Sequence, residues 1–518
     1  MRLKAVLTCA GLLAVTFVAL SQPAAHAAPT RYEAESSPAV CTGTIDSNHS
    51  GYSGSGFCNA NNATGAYAQF TVNAGAAGTA TIGVRFANGT TSARPADLIV
   101  NGSTVQSVSF EAAGAWNTWV TKTLTVSVNS GSNTIRFNPT TSGGLPNIDY
   151  IDAEAGDTPP PPPGTLYVAP NGSDSAAGTQ SNPTTLTSAI TRVAPGGTIL
   201  MRGGRYDFSQ TVTIAAGNNG TSSARKKLSA YPGETPVLNF SAQSEASANR
   251  GLAVNGSFWH VHGIVVERAG DNGIFVGGHN NIFERTVTRF NRDTGLQLSR
   301  MTSTTPRDQW PSNNLILSAV SHDNADSDGE DADGFAAKLT SGPGNVFRYA
   351  VAHNNIDDGW DLYTYADEGP IGAVTIEDSL SYENGTLSDG TQNTAGDRNG
   401  YKLGGEDVPV NHVIRRNIAY DNGKHGFTYN RNPGTMTVSN NVSIDNTERN
   451  FSFDAGSSVF RNNTSCRSGS GTNDRIVGDA DGSNQFWSGS NGSRCSSYTG
   501  GLNWSFAADG RLVVTFGG

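Results

Sequence analysis

The blocks DADGFAAK at 331–338, NNIDDGWDLYT at 354–364 and NGYKLGG at 399–405 decide how this chain is expected to fold. Each block places a small polar or acidic residue before a Gly and follows the Gly with a short apolar run. The same arrangement recurs elsewhere, and such a repeat is typical of short strands stacked in successive turns. The glycines of the repeat are Gly273, Gly295, Gly334, Gly359, Gly400 and Gly426.

The spacing of the repeat predicts a right-handed parallel β-helix. Successive glycines are separated by 22, 39, 25, 41 and 26 residues, which we interpret as rungs of 22 to 26 residues, two of them enlarged by loops. In a β-helix each rung contributes one strand to each face of the coil. Asparagines recur ahead of these glycines, and we expect them to hydrogen-bond from rung to rung. They are Asn291, Asn324, Asn355, Asn384 and Asn422.

The predicted register brings distant carboxylates together. Residues at equal offsets from the glycines stack about 4.8 Å apart, which makes Asp361 a neighbour of Lys402. Asp333 and Asp358 form the adjacent column, and Asp357 shares a rung with Asp358. Four carboxylates this close repel one another unless a cation lies between them, and oxygen ligands without His or Cys favour calcium. The alternative is an acidic rim exposed to solvent.

Length and composition restrict the class of protein. A chain of 518 residues is too long for one ordinary core, and 62 glycines with 15% charged residues favour turn-rich β architecture. The net charge of -10 argues against nucleic acid as a partner. It is compatible with an acidic polysaccharide as a partner if a bound cation makes the local electrostatic potential positive.

Residues 1–28 are predicted to be a secretory signal peptide, because a basic start and an apolar run lead to a small-residue exit. We therefore expect a secreted, extracellular protein with no membrane-spanning segment. Four cysteines then remain, and their proximity in the sequence favours Cys41–Cys58 and Cys466–Cys495 among three possible connectivities.

Composition divides the mature chain. Residues 29–156 contain short alternating strands typical of a β-sandwich. Residues 157–164, DTPPPPPG, are predicted to form a stiff spacer. Residues 165–518 hold the predicted β-helix, where a helix over Leu186–Val193 and the strand in GGTILMRGG are expected to close the open end of the stack.

The segment 29–156 carries YEAES, GYSGSGF, VRFANG, DLIVNG, WNTW and NIDYIDAE. With this set it resembles a family 35 carbohydrate-binding module, with family 6 as a related neighbour. The resemblance implies a calcium site and a sugar site, in which aromatic faces stack on sugar rings. The implied residues are Glu33, Glu35 and Asp152 for calcium, and Tyr52, Trp116 and Asn147 for sugar. A core position is the alternative for Trp116.

The β-helix segment carries DADGFAAKL, GNVFRYAVAHNNIDDGWDLYT, DRNGYKLGG and RRNIAYDNGKHGF. These blocks together resemble polysaccharide lyase family 9, a group of pectate lyases on a parallel β-helix. The resemblance implies a calcium-dependent lyase that cleaves uronic-acid polymers, pectate first, by β-elimination. Carried over by position, the calcium ligands fall on Asp333, Asp357, Asp358 and Asp361, and the base falls on Lys402.

The residues suit this chemistry. A uronate carboxylate on calcium has a more acidic C5 proton, which a neutral lysine can take. Arg398 and Arg431 are candidates for holding substrate carboxylates. The expected partner is an acidic plant cell-wall polysaccharide, and we expect a monomer.

Two alternatives remain open at this point. A β-helix glycoside hydrolase would use paired Asp residues as acid and base. A non-catalytic, polysaccharide-binding adhesin would use the same scaffold without turnover.

Overall fold

The computed structural model describes residues 29–74, 78–129, 131–155 and 164–517. The predicted signal peptide and all but the last residue of the predicted linker lie outside these ranges. The chain divides into two compact units, Met1–Pro161 and Pro162–Gly518. The first is a β-sandwich and the second a parallel β-helix, so the predicted fold class is confirmed. The finer domain limits stay a prediction.

The sandwich consists of two antiparallel sheets. In spatial order the strands of the first are Gly43–Asp46, Phe57–Ala60, Asn147–Ala155, Gly78–Ala87 and Val120–Val128, with Thr30–Glu33 beside Asn147–Ala155. The strands of the second are Val40–Cys41, Ala68–Ala74, Gly131–Pro139, Arg94–Val100 and Ser103–Phe110. The predicted disulfide Cys41–Cys58 is confirmed, and it joins one sheet to the other.

The β-helix consists of three parallel sheets. Sheet 1 contains Thr165–Val168, Thr198–Met201, Lys226–Ala230, Trp259–His262, Ile282–Glu284, Leu315–Leu317, Val346–Arg348, Thr375–Glu377, Val413–Arg415, Thr437–Ser439, Val459–Arg461 and Asp479–Ala480. Sheet 2 contains Gly204–Asp207, Pro236–Asn239, Val265–Glu267, Val287–Arg289, Val320–His322, Val351–His353, Leu380–Tyr382, Ile418–Tyr420, Val442–Ile444 and Thr464–Cys466. Sheet 3 contains Val212–Ile214, Leu252–Val254, Ile274–Val276, Leu296–Leu298, Phe335–Ala337, Trp360–Asp361, Tyr401–Lys402, Phe427–Thr428, Phe451–Phe453 and Arg475–Ile476.

The rungs stack in the register that the glycine repeat predicts. The residue after each glycine pairs with its counterpart on the next rung, as Phe335 does with Trp360 and Trp360 with Tyr401. These side chains point inward and form a buried aromatic stack, in which the Trp360 and Tyr401 rings lie 4.8 Å apart and the Tyr401 and Phe427 rings 4.6 Å apart. Because side chains alternate along a strand, the following residues point outward.

The asparagine ladder lies at the corner between sheets 2 and 3. Each side-chain amide donates to the Oδ1 of the next Asn, at 2.8 Å from Asn324 to Asn355, 2.9 Å from Asn355 to Asn384 and 2.9 Å from Asn384 to Asn422. All are buried. Since every amide has its partner, the corner is held in one conformation. The residues that follow it, at the start of sheet 3, are therefore held in fixed positions.

The two ends of the coil are covered differently. Helix α1, Leu186–Arg192, buries Leu186, Ala189 and Ile190, and the Thr185 side chain caps it. At the other end the disulfide Cys466–Cys495 is confirmed. An antiparallel hairpin, Leu502–Phe506 and Leu512–Phe516, follows it in the chain and lies along the outside of sheet 2, where Trp504 Nε1 donates to the Tyr382 hydroxyl at 3.1 Å.

Two short 3₁₀ helices, Arg307–Gln309 and Ser493–Ser497, complete the secondary structure of the described residues. Across those residues, the structure contains no helix with the length and hydropathy needed to span a membrane.

Candidate active site

The outward face of sheet 3 carries the residues that the register predicted to meet. Asp361 and Lys402 are paired positions on consecutive rungs. The next column is tied to the backbone: the Asp358 amide donates to Asp333 Oδ1 at 3.2 Å, and the Asn399 amide donates to Asp358 Oδ1 at 2.5 Å. These bonds place side chains from three successive rungs against one another.

The carboxylate cluster, Asp333, Asp357, Asp358 and Asp361, is almost completely buried. Within the described residues, Asp333, Asp357 and Asp358 form the one group of three or more His, Cys, Asp or Glu side chains suited to a metal ion, with ligand oxygens within 4.8 Å of one another. Asp361 lies at the edge of this group, where its Oδ1 accepts from the Tyr363 amide at 2.8 Å.

The cluster has capacity for a cation. Asp358 Oδ2 is buried and accepts no hydrogen bond from the described residues, although Lys402 Nζ lies 3.3 Å away. An unsatisfied buried carboxylate oxygen is costly, and carboxylate oxygens are the ligands of hard cations such as Ca²⁺. The residues present therefore fit the cation that the sequence predicted.

Two buried lysines flank the cluster. Lys402 Nζ lies 3.0 Å from Asp397 Oδ2 and 3.7 Å from Asp361 Oδ2. Lys338 Nζ lies 2.8 Å from Asp333 Oδ2 and 3.4 Å from Asp361 Oδ2. Asp361 is thus shared between two ammonium groups on opposite sides.

The charges of the site do not cancel. Lys424 also contributes, because its Nζ lies 3.1 Å from Asp397 Oδ1. Fully ionised, the site has five negative and three positive groups, an excess of two negative charges. A divalent cation would neutralise this excess. The groups counted are Asp333, Asp357, Asp358, Asp361, Asp397, Lys338, Lys402 and Lys424.

Burial and charge shift the pKa values of these groups. Burial raises the pKa of Asp358 to about 6, against the opposing effect of Lys402. Burial and neighbouring carboxylates raise the pKa values of Asp333 and Asp357 well above the ordinary value. Burial acts to lower the pKa of Lys402, but the surrounding carboxylates, Asp361 first, outweigh it and raise that pKa. Without a cation the lysine is therefore held as an ammonium ion.

Comparisons with known proteins match both units. Residues 166–465 match the family model described as "Pel9A-like, right handed beta helix region". Residues 33–155 match the model of family 6 carbohydrate binding modules.

The β-helix also has relatives of high identity. Pectate lyase L of Paenibacillus polymyxa (strain SC2) is 56% identical over 325 residues, which are 62% of this chain and 72% of that protein. The chain belongs to the Pel9A-like right-handed β-helix family.

Further relatives agree with this membership. Pectate lyase L of Thermoclostridium stercorarium is 44% identical over 298 residues, 57% of this chain but 24% of that protein. The crystal structure of pectate lyase Pel9A has a TM-score of 0.56 at 32% identity, covering 64% of this chain and 82% of that one. This member of the Pel9A-like family is thus an enzyme of the pectate lyase type with an N-terminal carbohydrate-binding module, as predicted.

Sequence reasoning missed Lys338 and Asp397. A signal for Lys338 was present: residues i and i+2 share a face of a strand, and Lys338 follows the outward Ala336 by two residues. Asp397 ends a long loop outside the repeat, so its place beside Lys402 could not be derived from the spacing.

The side chains of the two arginines predicted to hold substrate carboxylates lie outside the carboxylate cluster. The Arg398 amide donates to Asp357 Oδ1 at 3.0 Å, but its side chain packs against Gly385 and Gly423 and lines a separate cavity. Its φ of 58° takes it out of the strand alternation, which turns the guanidinium away from the cluster. Arg431 is exposed and forms an ion pair with Asp407. Neither guanidinium contacts the carboxylate cluster, so both roles remain predictions.

The predicted calcium ligands of the sandwich are only partly assembled. Glu33 Oε1 accepts from the Ser53 hydroxyl and Glu35 Oε1 from the Ser55 amide, while both Oε2 atoms are buried without a hydrogen bond from the described residues. The Asp152 carboxylate instead pairs with Arg31, through bonds of 2.9 and 3.1 Å. The assignment of these three residues to a calcium site stays a prediction.

The predicted sugar-binding residues of the sandwich have different exposures. Trp116 is half-buried in the loop before Val120–Val128, and its ring lies 6.1 Å from that of His49. Tyr52 is also half-buried, with its ring 5.7 Å from Phe57. Asn147 is buried at the start of its strand. Trp116 is therefore neither a core residue nor fully exposed.

Proposed function

We propose that the β-helix unit cleaves a uronic-acid polymer, most directly pectate, by calcium-dependent β-elimination with Lys402 as the base. The proposal rests on one observation above all: a buried lysine and a carboxylate cluster lie side by side on the outward face of sheet 3, on consecutive rungs. The relatives named pectate lyases support the choice of substrate.

Asp333, Asp357, Asp358 and Asp361 would hold the calcium ion. When bound, calcium would neutralise the substrate carboxylate and so make the C5 proton more acidic. The residues satisfy this role because they are preorganised by backbone amides, from Asp358 and Asn399, before any ligand arrives.

Lys402 supplies the proton acceptor. Its Nζ is held between Asp358, Asp361 and Asp397, so its position is fixed although its stem is flexible. Once cation binding offsets the negative charge of its neighbours, the pKa of Lys402 falls and the free amine becomes accessible. The amine takes the C5 proton, the C5–H electrons form the C4–C5 double bond, and the C4–O bond breaks with the electron pair leaving on oxygen.

The product gives a direct test. A lyase generates an unsaturated uronide whose conjugated double bond absorbs in the ultraviolet, whereas a hydrolase cannot. We expect absorbance to increase with polygalacturonate and calcium, to stop after chelation, and to return when calcium is restored. Full activity after exhaustive calcium removal would refute the proposed mechanism.

Substitution separates the remaining alternatives. Lys402→Ala is expected to abolish product formation, while Lys227→Ala, an exposed lysine on sheet 1, should leave it unchanged. Release of saturated oligosaccharides would favour the hydrolase, and binding without any cleavage would favour the adhesin. A panel of uronic-acid polymers would establish which one is preferred.

The other predictions complete the proposal. The sandwich would bind polysaccharide through Tyr52, Trp116 and Asn147, and the protein would be secreted. The two disulfides suit an oxidising environment. Loss of polysaccharide binding by the isolated residues 29–156 on Trp116→Ala would support the first point, and unchanged binding would contradict it.

A further inference from the structure

A cavity of about 340 Å³ lies on the same face of sheet 3 as Lys402. Its floor contains Phe275 and Gln297, the outward-facing residues of two earlier rungs in the column that leads to Asp361 and Lys402. Gln297 is three rungs from Lys402, a separation of about 14 Å. The volume is within the range of small-molecule sites, about 300–1,000 Å³.

Tyrosine rings connect the cavity to the candidate active site. Lys402 Nζ lies 5.4 Å from the centre of the Tyr363 ring, and the Tyr363 and Tyr365 rings are 5.5 Å apart. Tyr365 lines the cavity and is 42% exposed, which is unusual for a large aromatic side chain. An exposed ring beside a groove is a platform on which a sugar ring can stack.

The cavity also presents a guanidinium group. The guanidinium carbon of Arg250 lies 3.3 Å from the centre of the Phe275 ring, so the group is held against that ring. Its Nε is buried and forms a long ion pair with Asp271 Oδ2, at 3.5 Å, so a carboxylate in the cavity would have to be bound by the two terminal nitrogens. The two terminal nitrogens of a planar guanidinium can bind a carboxylate through two parallel bonds.

The wall of the cavity is held by a second arginine. Arg300 makes a forked pair with Glu368, at 2.7 and 2.5 Å. These residues belong to loops that follow different rungs, so the pair ties the two loops together. Arg300 is therefore fully paired with Glu368 in the wall, whereas Arg250, whose ion pair with Asp271 is longer, is the cation that lines the cavity and could also bind a ligand.

We propose that this cavity is a subsite for a further acidic sugar unit of the polymer, with Tyr365 stacking on its ring and Arg250 binding its carboxylate. The inference rests on the proposed function, because it takes the same polymer to occupy both places. With this role, the cavity would make the enzyme prefer polymers that carry an acidic sugar unit at some distance from the bond that is cleaved.

The test uses the full chain and galacturonate oligomers of increasing length. In Arg250→Gln and Tyr365→Ala, KM should rise about tenfold for oligomers long enough to reach from Lys402 to the cavity, with kcat and short oligomers unaffected. Arg250→Lys should recover only part of the affinity because it lacks the fork. Arg205→Gln, an exposed arginine on sheet 2, is the matched control. Unchanged KM at every length would overturn the proposal.

Binding measured without turnover separates this proposal from the proposed function. Titration of the same oligomers into Lys402→Ala, with and without Arg250→Gln, reports the cavity directly. Weaker binding only for the longer oligomers would support the subsite even if wild-type protein formed no unsaturated product, which would refute the lyase mechanism alone. Equal binding by both proteins would overturn the subsite.

Discussion

Lys402→Met tests the chemistry and the electrostatics of the site in one variant. The substitution keeps an unbranched apolar side chain at this buried position but removes the ammonium that lies 3.0–3.7 Å from Asp397, Asp358 and Asp361. The excess negative charge of the site would increase from two to three. Two effects follow, one on turnover and one on stability.

The size of the effect on turnover and on stability follows from the role and the burial of Lys402. Loss of a positioned general base lowers the rate by about 10²–10⁴-fold, so turnover should fall to the background of the assay. Breaking a buried ion pair from one side costs about 3–5 kcal/mol, which should lower the free energy of unfolding of the metal-free protein. Calcium should then stabilise Lys402→Met more than wild type, because no ammonium opposes the cation.

Product absorbance and urea unfolding, each with calcium and with chelator, measure both effects. Lys227→Met is the control for loss of an ordinary lysine. Activity above about a tenth of wild type would refute the role of Lys402 as base. A smaller calcium-induced stabilisation in Lys402→Met than in wild type, in a protein with native circular dichroism, would refute the electrostatic account.

Three further predictions concern the surroundings of the site. Lys338→Met should destabilise the metal-free protein by about 3–5 kcal/mol in urea unfolding yet keep measurable turnover; a loss equal to that of Lys402→Met would place Lys338 in the reaction. Asn384→Ala removes a buried ladder amide that donates at 2.9 and 3.0 Å. Each hydrogen-bonding group left without a partner costs about 1–3 kcal/mol, so the unfolding temperature should fall markedly; a small change would mean that water replaces the amide. The pKa of Asp358 is raised to about 6. Its contribution to the stability of the metal-free protein is therefore present below about pH 4 and lost as pH rises through 6. Asp358→Asn should remove this part of the pH dependence; if the difference in free energy of unfolding between the two proteins stayed the same across pH 4–7, the raised pKa of Asp358 would be contradicted.

Much of the site could be predicted because the fold is repetitive. In a stack of rungs, equal offsets in the sequence become neighbouring positions in space, so the glycine spacing brought Asp361 to Lys402 and Asp333 to Asp358 without further information. The same reasoning extended by two residues would have included Lys338. The family comparisons agree with the fold obtained in this way.

The repeat does not predict where side chains outside its strands point. Arg398 has the backbone of a left-handed residue, so its guanidinium lies against two glycines and away from the groove. Asp152 was assigned by resemblance, but its partner is decided by the neighbouring strand, which places Arg31 opposite it. In both cases the sequence carried no information on the direction of the side chain, and the assigned roles stay predictions.

The sequence by itself determined the two β domains, the rung register and the meeting of Lys402 with the carboxylates, because glycine, asparagine and inward apolar residues recur at spacings that only stacked strands satisfy. Only the tertiary structure decided that Lys338 and Asp397 join the charged site, and that Arg250, Tyr365 and two tied loops line an open cavity on the same face of sheet 3. The physical reason is that loops of unequal length pack against the outward side chains of the rungs. Their contacts depend on this packing and not on the spacing of the sequence repeat.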